Sequence, residues 1–80
     1  MNELEAKIII ALADNGLRAE RAAKTIPMDR NSVVYRIRKI RKETGRDPLD
    51  FHDMCWLLPM AKTTLGKYGT FVINGGKNND

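Results

Sequence analysis

Residues 30–42 read Arg-Asn-Ser-Val-Val-Tyr-Arg-Ile-Arg-Lys-Ile-Arg-Lys, and this stretch decides the fold. Val33, Ile37 and Ile40 recur at i, i+4 and i+7, the spacing of one helical face turned to a core. At about 100° per residue, Asn31, Tyr35, Arg38 and Lys42 point almost directly away from that stripe. Arg30, Val34 and Arg41 lie on one flank and Arg36 on the other. Between Arg30 and Arg46 stand seven basic residues and one acidic, a net of +6. The rest of the chain carries seven basic and nine acidic residues, a net of −2, so the whole balance of +4 sits on one helix. A helix that is apolar on one side and densely cationic on the other is the electrostatic footprint of a nucleic-acid binder.

Working outward, Asp29 is placed to cap this helix at its start, and Gly45 to close it after Thr44. Before it, Pro27-Met28 forms a turn, since proline cannot continue a helix without losing a hydrogen bond. A short helix from Arg18 to Ile26 precedes that turn, with Ala22, Ala23 and Ile26 on its apolar side and no suitable cap at its start. A first helix runs from Glu3 to Asp14, with Leu4, Ile8, Ala11 and Leu12 on one face. Asn2 and Glu5 have the spacing of a capping box, and Asn15-Gly16 stops the helix. Ile9 and Ile10 widen the stripe, and one of them is a candidate for a subunit contact.

After Gly45, Asp47-Pro48 is read as the opening of a fourth helix, with Asp as cap and proline at the first helical position. Leu49, Met54, Leu57 and Leu58 are expected in the core, Phe51 and Trp56 at least partly buried, and Pro59 to end or kink the helix. Residues 1–61 are thus one all-α domain of about four helices. Residues 62–80 form a tail that is β-like at 68–73 or disordered, with disorder expected from 74 to 80.

Composition bounds the function. Eighty residues make one small domain with a marginal core, which a dimer interface would supplement. No apolar run approaches a membrane span, and the N-terminus lacks the order of a signal peptide. With a single cysteine, Cys55, no intrachain disulfide can form, as suits a reducing cytoplasm. His52 and Cys55 stand i, i+3 but lack the further ligands that zinc needs, so Cys55 is expected to be a small core residue. No nucleophile–base arrangement has an orienting group. An enzyme is not expected, nor a metal, cofactor or small-molecule ligand.

A short helix, a tight turn and a longer basic helix make a helix-turn-helix, whose second helix enters the DNA major groove. The chain resembles the C-terminal DNA-binding domain of PucR/CdaR-type bacterial transcription regulators, itself similar to the factor for inversion stimulation, Fis. The residues that carry the likeness are Ala22-Ala23-Lys24, Arg30-Asn31-Ser32-Val33, Tyr35-Arg36-Ile37, Lys39-Ile40, Thr44-Gly45 and Asp47-Pro48, within residues 15–58. The resemblance implies a DNA-binding regulator with base contacts from the start of the third helix. There are three departures. Glu20 stands where such domains start the short helix with Ser or Thr. Pro27 stands in the turn, where simpler helix-turn-helix proteins prefer Gly. Asp29 stands in place of His or Asn, and is expected to cap and face inward, away from phosphate. Such domains usually follow a sensory region, which is not expected within this chain.

On that reading Arg30 reaches guanine N7 and O6, Asn31 reads adenine, Ser32 donates to a base or phosphate, and Tyr35 touches a base edge or thymine methyl. Arg36, Arg38, Lys39 and Lys42 hold phosphates, which give affinity and register but little sequence information. Neutralising about five phosphates gives a log–log salt slope near −4 to −5. The plainer alternatives stay open. Asn31 and Ser32 could only complete the helix start, Tyr35 could pack on a neighbour, and Arg36 could pair with Glu20 or Asp47. The partner is duplex DNA, bound by a homodimer, with the first helix and the segment beyond Pro48 as candidate dimer surfaces. The competing reading is a protein-interaction module whose basic helix docks on an acidic partner. RNA is disfavoured, because its deep, narrow major groove excludes a helix and the chain lacks a set of exposed aromatics for stacking.

Overall fold

The structure is a computed structural model and describes residues 1–66. Four helices follow one another: α1 (Glu3–Asp14), α2 (Ala19–Thr25), α3 (Arg30–Thr44) and α4 (Phe51–Gly66). No strand occurs among the described residues. The expected β-like segment at 68–73 and the disorder from 74 lie outside them.

Helix α1 starts on a complete capping box: the Glu5 amide donates to Asn2 Oδ1 at 2.8 Å and the Asn2 amide donates to Glu5 Oε1 at 3.1 Å. This satisfies two of the amides that a helix start leaves without partners. Glu5 is only 3% exposed, and its second carboxylate oxygen has no hydrogen-bond partner among the described residues. At the other end Asn15 caps α1 and spans two helices, its Nδ2 donating to Ala11 O at 2.7 Å and to Thr25 Oγ1 at 3.1 Å. Gly16 and Leu17 then both adopt left-handed backbone, φ +66° and +61°. Leucine pays for that conformation sterically, but its side chain packs against the core.

Helix α1 is the hub of the fold. It packs on α4, α2 and α3, while α3 and α4 each pack on α1 rather than on one another. Ile8, Ile9 and Leu12 are fully buried, with Val33 and Ile40 of α3, Leu57 of α4 and Pro48 from the loop between them. Burying each of these aliphatic side chains contributes about 1.5–3 kcal/mol. Ile9 is therefore a core residue and no subunit contact; Ile10 is half-buried beside it.

The loop between α3 and α4 corrects the reading of Asp47-Pro48. Helix α4 begins at Phe51, not at Pro48. Asp47 Oδ1 accepts from the Leu49 amide at 2.9 Å, an Asx turn two residues long, whereas Asp50 Oδ2 caps α4 by accepting from the Asp53 amide at 2.9 Å. Of the two roles expected of Pro59, ending or kinking the helix, the first does not hold, because α4 continues to Gly66. Pro59 and the residue a turn before it, Cys55, are both exposed. The carbonyl that proline deprives of a donor therefore lies on the side open to water. Leu49, expected in the core, is exposed, and so are Phe51, Cys55 and Trp56. Met54, Leu57 and Ala61 alone form the buried stripe of α4.

Candidate nucleic-acid interface

The helix-turn-helix is built from α2, the turn and α3. Arg18 precedes α2 with no side-chain cap, as its sequence leads one to expect. Ala22 and Ala23 are buried and Ile26 half-buried. Small alanines let α2 lie close against α3. The turn is held by the Ile26 amide on Ala22 O and the Met28 amide on Ala23 O, both at 3.1 Å. Ile26 has φ −112°, and the positive-φ residues of the described chain are Gly16, Leu17 and Gly45. The turn thus uses no left-handed residue, which is why Pro27 fits where simpler motifs place glycine.

Asp29 then starts α3. Its Oδ1 accepts from the Ser32 amide at 2.7 Å. The hydrogen bonds from the Ser32 amide, the Ser32 hydroxyl and the Asn31 amide hold the Asp29 carboxyl below its ordinary value of 3.8. The cap is as expected, but the residue is exposed and does not face inward. Its charge is offset locally by the amides at the positive end of the helix dipole. Ser32 is half-buried and serves this cap; the start of α3 is consequently fixed relative to the turn.

Behind the cap, Val33, Ile37 and Ile40 face the core. Arg30, Asn31, Tyr35, Arg38, Lys39 and Lys42 are exposed and Arg36 is half-buried. Tyr35 is 61% exposed, with the Arg36 guanidinium 6.0 Å from its ring centroid, near the limit of a useful cation–π contact. Tyr35 stands between two shallow, open depressions. One, of about 370 Å³, is lined by Met28, Asp29, Asn31, Ser32, Tyr35 and Arg36. The other, of about 640 Å³, is lined by Tyr35, Arg38, Lys39, Lys42 and Glu43.

Two ion pairs lie at the C-terminal end of α3 and just beyond it. Arg41 faces Asp47 at 3.7 Å, and Arg46 faces Asp53 at 3.4 Å. Arg36 pairs with neither Glu20 nor Asp47. Arg30, Arg36, Arg38, Lys39 and Lys42 are thus left without an ion-pair partner among the described residues, and together they point a dense positive field outward. Arg46 was not singled out by the sequence. Its guanidinium also lies 4.4 Å from the Trp56 ring centroid. The signal was present in the spacing: Asp53 and Trp56 stand i, i+3 on one helix, so a single arginine reaches both.

Gly45 closes α3 in left-handed conformation, φ +75°, its amide donating to Arg41 O at 2.9 Å. The Thr44 hydroxyl donates to Ile40 O at 2.8 Å and accepts from the Arg46 amide at 3.1 Å. Both ends of α3 are therefore tied down. As a fifteen-residue helix it is about 22 Å long.

Among known proteins, the family model described as the PucR C-terminal helix-turn-helix domain matches residues 6–58. No curated protein and no solved structure matches the chain.

Proposed function

The chain belongs to the PucR C-terminal helix-turn-helix family, and on that premise we propose that it binds duplex DNA sequence-specifically. It is read as a small bacterial or phage transcription regulator acting in the cytoplasm, with α3 inserted in the major groove. Family membership carries DNA binding and transcription regulation in general terms. The observation that supports the finer reading is the outward face of α3: five cations without ion-pair partners among the described residues, on a helix capped at both ends and set on a turn behind α2.

In this reading Arg30, Asn31, Ser32 and Tyr35 meet base edges, because they occupy the first turns of a helix that enters the groove by its N-terminus. Arg30 makes two hydrogen bonds to guanine. Ser32 contributes through its hydroxyl only if that group leaves Asp29. Arg36, Arg38, Lys39 and Lys42 hold phosphates and fix the register. Two copies act on two half-sites, because a single recognition helix reads only a few base pairs.

The test is selection of bound duplexes from a random-sequence library, repeated with Arg30→Ala. An enriched, dyad-symmetric site that loses preference at one base pair in the variant supports the reading. Salt-sensitive binding without an enriched motif reduces it to non-specific binding. Absence of binding at low salt refutes it and turns attention to acidic proteins as ligands of the basic helix.

A further inference from the structure

The outward face of α3 is cationic, yet the residue that leads into it is an acid. Asp29 is exposed at the start of α3, directly before Arg30. A surface that only tracked phosphate would gain nothing from a carboxylate there, because like charges repel. Asp29 is also fixed in place. Its Oδ1 accepts from the Ser32 amide at 2.7 Å, and its extended backbone, φ −77° and ψ 160°, leads straight into the helix. It lines the same open depression as Asn31, Ser32, Tyr35 and Arg36, so it shares the surface on which base-reading residues stand. A carboxylate offers about four acceptor positions and no donor. The Ser32 amide and hydroxyl and the Asn31 amide supply its hydrogen bonds within the chain, which leaves acceptor capacity on an exposed side chain.

We propose that Asp29 is a specificity-determining residue, accepting a hydrogen bond from the N4 amino group of a cytosine at the base pair next to the guanine read by Arg30. The proposal rests on the reading of α3 as the helix that enters the major groove by its N-terminus. The choice of base follows from the donor and acceptor pattern of that groove. Guanine shows N7 and O6 and thymine shows O4, all acceptors that a carboxylate repels. Adenine shows an amino donor, but with the N7 acceptor beside it. Cytosine alone shows an amino donor and no acceptor on its edge. The neighbouring pair is selected by reach: consecutive Cα atoms are about 3.8 Å apart, close to the roughly 3.4 Å between successive nucleotides of one strand. The same charge acts against wrong sites, since guanine or thymine at that position leaves it facing acceptors. Capping, by contrast, is a contact within the chain and is the same on every DNA sequence.

The experiment is competition anisotropy of the full chain and of Asp29→Asn on duplexes carrying the site that the wild type selects, with each base pair changed in turn. Arg30→Ala on the same set identifies the pair that Arg30 reads. Asparagine caps as well as aspartate, so α3 keeps its start, and thermal melts at neutral pH check this. Its amide carries no charge and both donates and accepts. In the wild type, replacing the cytosine beside the Arg30 pair should weaken binding by about fivefold or more. In Asp29→Asn that position should no longer favour cytosine over adenine, whose edge suits an amide, while discrimination at the Arg30 pair is retained. A selected site without cytosine next to the Arg30 pair overturns the proposal. So does an Asp29→Asn variant that keeps the cytosine preference, or one whose affinity shifts alike on every duplex, the mark of capping and bulk charge only. A chain that binds no duplex at low salt refutes the reading of α3 itself. A chain that binds and selects a site, yet is indifferent to the change at residue 29, refutes this contact alone.

Discussion

Helices α3 and α4 are alike on the inside and opposite on the outside. Each buries three residues on one stripe, Val33, Ile37 and Ile40 in one case and Met54, Leu57 and Ala61 in the other; α4 packs on α1, and α3 on α1 and α2 together. Outside, α3 shows water arginine, lysine, asparagine and tyrosine, whereas α4 shows mainly phenylalanine, histidine, cysteine, tryptophan, proline and methionine, with Lys62 and Thr63 in its last turns. Inward residues decide where a helix sits; outward residues decide what it meets. A cationic face suits a polyanion whose repeating charge it can track at many registers. A largely apolar face suits a surface of matching shape.

The most severe way to break the comparison is from within. Leu57→Ala, at a fully buried site, should cost about 2–5 kcal/mol through lost burial and the cavity left behind. A denaturant midpoint would register it, and DNA binding and pairing should fail together. Arg30→Ala should separate the two faces. Discrimination at one base pair falls by about 1–3 kcal/mol in competition anisotropy, while sedimentation is unchanged. Lys42→Ala sharpens the same line: affinity drops on every sequence alike, and the log–log salt slope shrinks by about 1. An unaltered slope would remove Lys42 from the phosphate contacts. Gly45→Ala acts at the joint between the faces. Its φ of +75° strains any side chain even though nothing lies within 4 Å of an added Cβ, so thermal melts should show a loss of roughly 1 kcal/mol.

The smallest effect is a pH dependence. The carboxyl of Asp29 is held below its ordinary value of 3.8, chiefly by the Ser32 amide. A depressed carboxyl stabilises the fold fully above the unfolded value and loses that contribution as pH falls through the folded one. Melting temperature should therefore decline more steeply in wild type than in Asp29→Asn once the pH drops below about 4, with the two nearly equal at neutral pH. Parallel acid slopes would show that the Asp29 cap adds nothing through its charge.

What was legible in the sequence follows the reach of the rule involved. The capping box of Asn2 and Glu5, the Asp29 cap, and the Gly45 closure involve partners three or four residues apart, and each lies where spacing puts it. The α3 stripe was equally legible because polar and apolar residues alternate there with helical period. In α4 that contrast is missing. With Leu49, Phe51, Cys55, Trp56 and Met60 as apolar as Met54 and Leu57, periodicity cannot say which side is inside, and exposed residues read as core. The start of α4 is ambiguous in sequence for another reason. Asp followed by Pro suits a helix start and an Asx turn equally well, and the choice was made by a longer contact, the Asp47 amide donating to Asp53 Oδ2 at 2.9 Å. For the interface, sequence identified which cations lie along α3, but not that Arg41 and Arg46 are taken up by Asp47 and Asp53.

The stack of Arg46 on Trp56 has a practical consequence. Trp56 is the only tryptophan of the chain, and its indole carries a fixed positive charge overhead that belongs to the residue just after the closure of α3. Indole emission shifts with the charge and water around the ring. A rotation of α3 against α4, or the covering of α4 by another surface, would each change that environment in its own way. The molecule thus carries an intrinsic optical gauge at the seam between its two outward faces, able to report engagement of either one without a label.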